Sequence, residues 1–474
     1  MQTWSVSDLQ TWDERIREKV AEFGLDCFPQ EFELYDHVQM LGVMAYSGMP
    51  SHYPHWSYGK SYEKQKTMYD YGVSGLPYEM VINSNPSLAY LMRDNTLLLQ
   101  ILTIAHVYGH NDFFKNNFTF QTTRPGYVLG MFKAHADRVR SYMEDPSIGP
   151  DKVERILDAA HALSLQCQRN LAVKKLTYEE ERARQLASFN PSDDPYKALH
   201  KKNEPEEPDL HKIPPAPEAD LLPFIRDYNP FLETWEKDLL TIVFEQTQYF
   251  LPQIETKIMN EGWASYWHRE ILTSLELPQD LHMEFLVRHN QVVRPHPGGL
   301  NPYHVGLAVW DDIFKRFEEP CAKDQELYGS GGKGRGHEKM FEIREADRDV
   351  SFLRRFLTPE LMRKLDLFQY EAEGRHLVVS DVSDGEGWEE VKATLLKGIG
   401  TGSIPVIKVI DAGLGQGSTL YLKHYHDERD LELNYAEQTL AYVHELWGRR
   451  VELETRLDEE PVILSYDEHG FSVN

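Results

Sequence analysis

Cysteine is scarce in this chain: Cys27, Cys167 and Cys321 are the only three in 474 residues, and they lie far apart. An odd, scattered set excludes a disulfide framework and a cysteine-based zinc cluster, and the thiols are expected to be reduced. Positive charge is also in deficit. Lys and Arg number 50 against 76 Asp and Glu, for a formal net charge of −26, and no basic run stands out. This argues against a broad nucleic-acid surface, which needs clustered Lys and Arg. No window holds the ~18 uninterrupted apolar residues of a membrane span. The first residues, Met1-Gln2-Thr3-Trp4-Ser5-Val6-Ser7-Asp8, show neither the basic start nor the apolar stretch of a secretory leader. The expected location is the cytoplasm.

What is present is apolar and aromatic mass: 41% hydrophobic residues, with 25 Tyr and 9 Trp. A chain this long is expected to form two or three domains. Residues 4–24 carry an amphipathic helical pattern (Leu9, Trp12, Ile16, Val20, Phe23) with Ser7 or Asp8 as its expected cap. Residues 44–78 interleave Tyr and His with Gly and Pro and read as a long aromatic loop, lining a pocket or packed on the core. Helical patterns follow at 127–145 and 150–188. A proline-rich acidic connector or excursion spans 190–223, and helical periodicity resumes at 230–277. The Asn301-Pro302-Tyr303-His304-Val305-Gly306 segment leads into a helix to about 327. The glycine-rich run 329–336 follows a helix, and no Ser or Thr follows its Lys333, so it reads as a loop and not a phosphate cradle.

From about 375 the texture changes. Strands at 376–382, 406–412, 419–425, 451–456 and 462–466 alternate with helices at 387–398 and 434–447. This order matches the split-βαβ, ferredoxin-like pattern. The expected fold class is therefore α+β: a large, mainly helical domain over 1–370 and a ferredoxin-like domain over 371–474.

The chemistry concentrates in residues 97–114, an apolar helical run that carries His106 and His110 near its end. Residues four apart share one helix face, so both imidazoles can reach one metal ion. With 20 His in the chain, roughly one such pair arises by chance, so the spacing needs corroboration. Two features supply it. The pair sits on a run that is apolar almost all round, hence buried, and Glu261 lies in a second helical segment whose Gly262 and Ala264 allow close helix contact. Together the three residues make a His2Glu donor set with an open position, and the expected ion is divalent, zinc by donor type.

The segments His106-Val107-Tyr108-Gly109-His110-Asn111-Asp112-Phe113-Phe114, Asn260-Glu261-Gly262-Trp263-Ala264 and 301–306 resemble the SpoVR family of bacterial sporulation-associated proteins, over essentially the whole chain. That resemblance implies a role in spore cortex formation and supplies no biochemical activity. A more distant likeness is to gluzincin metallopeptidases, in which a helix bears HExxH and a later helix supplies a glutamate ligand. It implies a zincin-like helix pair with His106, His110 and Glu261 as metal ligands. Two positions depart from it. Val107 stands where the general-base glutamate would be and cannot take a proton from an attacking water. Ser265 stands where a supporting carboxylate is often found.

The base must then come from elsewhere. Asp112 is about 200° round the helix from His110 and faces away. His268 lies seven residues after Glu261, about 10.5 Å along the same face, and is a candidate ligand, proton donor or supporting group. Tyr303 and His304 are candidates for stabilising an oxyanion. Glu79, His37 and His55 stand in reserve as polar groups beside apolar or aromatic runs. Two functions remain open: a metal-dependent amide or peptide hydrolase acting on cell-wall-related material, or a metal-binding pseudoenzyme that serves as a regulatory or scaffold protein. Protein partners, if any, are expected to bind through the C-terminal domain.

Overall fold

The computed structural model describes residues 4–73, 75–169, 174–189, 212–295, 300–329, 333–367, 370–373, 376–379, 385–413 and 418–474. The fold is α+β, with 18 α-helices and ten strands among the described residues. They group into two compact units: Met1–Arg138 with Tyr249–Ser403, and Val139–Gln248 with Ile404–Asn474. Residues 371–403 thus group with the first unit, and the C-terminal strands group with 139–248.

In the first unit, helix Val6–Glu22 is capped by Ser5, earlier than the Ser7 or Asp8 expected. The Ser5 hydroxyl accepts from the Asp8 amide and the Asp8 carboxylate accepts from the Ser5 amide. A three-stranded sheet follows, which the sequence pattern did not suggest. Its strands β1 (Gln30–Tyr35), β2 (Glu79–Ile82) and β3 (Ser87–Met92) lie in the order β1-β3-β2, with β1 parallel and β2 antiparallel to β3. All six residues of β3 are buried. A strand buried on both faces shows no period-two alternation, so it merges with the apolar run that follows it. The aromatic stretch 44–78 is not loop throughout: helix Trp56–Asp70 rises inside it, capped by the His55 ring, which accepts from the Ser57 amide.

The core of this unit is built around two helices. The histidine helix, Leu97–Asn116, starts at the Thr96 cap, and every residue from Leu98 to Phe114 is buried. The glutamate helix, Lys257–Ser274, begins where Thr256 interrupts the longer pattern expected over 230–277. Its first amides are satisfied from a distant segment: the Asp349 carboxylate accepts from Ile258 N and Met259 N, each at 2.8 Å.

Absent side chains let these helices touch. A Cβ on Gly109 would lie 2.6 Å from Ala264 Cα, and one on Gly262 would lie 2.3 Å from the Gly306 carbonyl carbon in helix Pro302–Glu318. Both distances are too short for any side chain. The three helices therefore meet backbone to backbone, which turns His106, His110, Glu261 and Tyr303 toward one cleft. Asp112 faces the other way, as its helix position predicts, and accepts from Asp26 N, Trp263 Nε1 and Arg344 Nη1 at 2.6–2.9 Å.

In the second unit, β6 (Ile407–Asp411), β7 (Leu420–His424), β8 (Val451–Leu457), β9 (Glu460–Asp467) and β10 (Gly470–Val473) form a sheet in the order β10-β9-β8-β7-β6. Only the β7–β8 pair is parallel, and helix Leu433–Trp447 joins its two strands. The strand positions match the sequence reading, with β10 in addition. The split-βαβ detail does not hold, because no strand lies between β7 and β8. The strand expected first in that sheet, β5 (His376–Val379), pairs instead with β4 (Tyr370–Glu373) in a separate hairpin. Residues 190–211 of the expected connector, 330–332 of the glycine-rich run and 380–382 of the expected first strand lie outside the described residues.

Candidate metal centre

A cleft of about 1360 Å³ opens in the first unit, lined by apolar side chains such as Met80, Leu102, Phe114 and Phe250 and by the polar groups Glu79, His106, His110, Asn260, Glu261, His268 and Tyr303. The predicted ligands converge there. His106, His110 and Glu261 each present a donor atom within 4.8 Å of the others. Glu261 Oε2 lies 3.4 Å from His110 Nε2 and 3.7 Å from His106 Nε2, both longer than an ordinary hydrogen bond. Glu79, a reserve candidate, enters from β2 with Oε1 4.0 Å from His106 Nε2.

The remaining ring nitrogens are held from behind. His110 Nδ1 lies 2.8 Å from Asn260 Oδ1; the amide oxygen can only accept, so the proton sits on Nδ1 and Nε2 offers a lone pair. His106 Nδ1 lies 2.9 Å from His268 Nδ1. His106 Nε2 and Glu261 Oε2 are buried with no hydrogen-bond partner. Leaving such atoms unsatisfied costs roughly 1–3 kcal/mol each. Two imidazole nitrogens and a carboxylate oxygen drawn together, one of the nitrogens and the oxygen buried without a partner, suit a metal ion.

The electrostatics fit that donor set. Burial would raise the Glu261 carboxyl, but the two imidazoles outweigh it and hold the group well below the usual carboxylate range. Burial would lower His110, but Glu261 beside it lifts the ring above its ordinary value. His106 is pushed down to about 4, by burial first and by His110 next. Glu79 is pushed up to about 7, chiefly by burial, with Glu261 adding repulsion and His110 opposing.

The other predicted residues divide. Tyr303 stacks on the His106 ring with centroids 6.0 Å apart, and the charge of Glu261, then burial, raises its hydroxyl well above the ordinary value. His268 is fully buried behind His106, in a supporting position. His304 is turned to the Val293 carbonyl at 2.8 Å and does not line the cleft. His37 stacks on Tyr69 and His55 caps its helix, and neither lines the cleft. Val107 is fully buried in the packing of the histidine helix and does not line the cleft either. Sequence reasoning gave no role to Asn260 or His289, although Asn260 lay beside the motif glutamate.

Two family models cover the chain, one described as SpoVR like protein over residues 3–404 and one as SpoVR-like C-terminal domain over 405–458. The chain belongs to the SpoVR family. A relative in Escherichia coli (strain K12), called "Uncharacterized protein YcgB", is 33% identical over 486 residues, which covers 97% of this chain and 94% of the relative. No solved structure matches. This SpoVR chain is thus a member of a sporulation-associated family, and no helix among its described residues is long and apolar enough to cross a membrane.

Proposed function

We propose that this SpoVR-family chain is a metal-dependent hydrolase that cleaves amide or peptide bonds in cell-wall-related material, in support of spore cortex formation. The observation that carries the reading is the convergence of His106, His110 and Glu261 with two buried, unpartnered donor atoms. These three residues would hold the ion, zinc by donor type. When bound, the ion would supply Lewis acidity toward the scissile carbonyl and lower the pKa of the attacking water.

The rest falls to the chain's own side chains. Glu79 occupies the role that Val107 cannot fill. It faces His106 in the cleft from a strand instead of from the histidine helix. Its carboxylate accepts the proton of the attacking water and returns it to the leaving amine. Tyr303, stacked on His106, directs its hydroxyl proton to the oxyanion that develops at the carbonyl. Apolar side chains of the cleft, Met80, Leu102 and Phe114 among them, lie around these groups. The test is hydrolysis of a panel of peptides and muropeptides by the zinc-loaded chain: turnover by the wild type and its loss in Glu79→Gln is the expected pair of results.

One observation favours a second reading, a metal-binding pseudoenzyme that acts as a regulatory or scaffold protein. Val107 replaces the residue that metallopeptidase-like helices use as base. A Glu79→Gln variant that retains zinc and full biological effect, with no hydrolysis by either protein, selects this reading.

A further inference from the structure

Behind His106 the structure holds an unbroken row of three imidazoles. His106 Nδ1 lies 2.9 Å from His268 Nδ1, and His268 Nε2 lies 2.8 Å from His289 Nδ1. The three rings come from three helices: the histidine helix, the glutamate helix and Gln279–Val293. His268, at the middle, is fully buried and uses both ring nitrogens in this row. His289 is only partly buried. We propose that His268 and His289 are positioning residues that set the tautomer of His106, presenting its Nε2 lone pair to a divalent cation held with His110 and Glu261. This rests on the metal-site reading above.

Donors and acceptors must match along the row. Each link joins two nitrogens and has room for one proton, so one ring donates and the other accepts. With all three rings neutral there are three protons. Two fill the links, and the third occupies one of the two outer nitrogens, His106 Nε2 or His289 Nε2. The row therefore has only two arrangements. In one, His106 carries its proton on Nε2 and cannot coordinate. In the other, His106 Nδ1–H donates to His268 Nδ1, His268 Nε2–H donates to His289 Nδ1, and His289 carries the third proton on its outer nitrogen. The proton count is the same in both, so the row reverses without a change of charge. Accommodating a cation at His106 Nε2 selects the second arrangement, because which nitrogen binds is set by the hydrogen bond the other one makes.

Charge explains why imidazoles suit this place. A ligand histidine is commonly backed by a carboxylate or a carbonyl. This cleft already holds Glu261 and Glu79, which balance a divalent ion when both are ionised. A further carboxylate behind His106 would leave a buried excess of negative charge. The amide of Asn260 behind His110 follows the same rule, supporting its ring without adding charge.

The test is zinc affinity of the full chain, measured by competition with a chromophoric chelator, for wild type, His289→Leu and His289→Gln. Leu cannot accept the His268 Nε2 proton. The row then reverses, His106 keeps its proton on Nε2, and affinity falls roughly 10–100-fold. Gln offers an acceptor oxygen and is expected to recover most of that loss. Equal affinity in all three proteins, or equal loss in Leu and Gln, overturns the proposal. No zinc bound by the wild type overturns the metal-site reading itself, a separate outcome. A second measurement needs no variant. Imidazole ¹⁵N spectra of the wild-type, zinc-loaded chain should show His268 protonated on Nε2, and protonation on Nδ1 overturns the proposal.

Discussion

Two buried histidines, one in each compact unit, show what separates structure from chemistry in this chain. His424 on β7 is 5% exposed, and its Nδ1 is satisfied by Thr455 Oγ1 at 2.9 Å across the parallel pair. His106 is 3% exposed and equally well held at Nδ1, yet its Nε2 is buried beside Glu261 and Glu79 with no hydrogen-bond partner. Burial and a lowered pKa are common to both, with burial the first cause in each. They therefore do not mark function. The distinguishing mark is the unsatisfied atom that shares its space with other donors, a state that costs stability unless something occupies it.

The comparison can be broken from either side. The largest expected effect is on metal content: Glu261→Gln and His110→Ala should lose stoichiometric zinc by elemental analysis, whereas His424→Ala should retain it. Next comes activity. Glu79→Gln should keep zinc while amide hydrolysis falls roughly 10²–10⁴-fold, the usual worth of a general base. Gly262→Ala should reach both properties through packing. Its methyl meets the Gly306 backbone, so the helices must part, at about 1–3 kcal/mol in urea unfolding and with weakened zinc affinity.

A smaller effect is expected from Asp349, the distant cap of the glutamate helix. Burial pushes its carboxyl up to about 7 in the folded protein, against the Ile258 and Met259 amides that lower it. The unfolded chain titrates near 3.8. The folded state therefore binds the extra proton between these values, so this contribution is full below about pH 4 and is lost as pH rises through about 7. Relative to Asp349→Asn, the wild type should lose on the order of 2 kcal/mol of unfolding stability between pH 5 and 8. The smallest change belongs to His424→Ala, about 1 kcal/mol for one hydrogen bond and some packing.

How far the molecule could be read from its residues follows the same physics. The amphipathic helices and the strands β7 and β8 were legible because buried positions recur with the period of the element, every second residue in each of these two strands. The pair His106 and His110, with Glu261, was legible because i, i+4 spacing on an apolar run is local and the small residues beside Glu261 announced a close helix contact. Glu79 stayed in reserve because the role proposed for it depends on β2 lying beside the histidine helix, a relation over sequence distance that no spacing encodes. His289 was invisible for the same reason, since its meaning appears only once His268 stands between it and His106. The strand order of the C-terminal sheet was misread because element order alone does not say which strand pairs with which, and β5 found β4 first.

His106, His110 and Glu261 are proposed to form one metal centre. Zinc K-edge X-ray absorption on the full chain loaded with one equivalent of zinc tests it most directly. The expected spectrum holds a shell of nitrogen and oxygen scatterers at roughly 2.0–2.1 Å with an imidazole signature of two histidines, lost in His110→Ala. A sulfur shell near 2.3 Å, or a spectrum unchanged by His110→Ala, would contradict it.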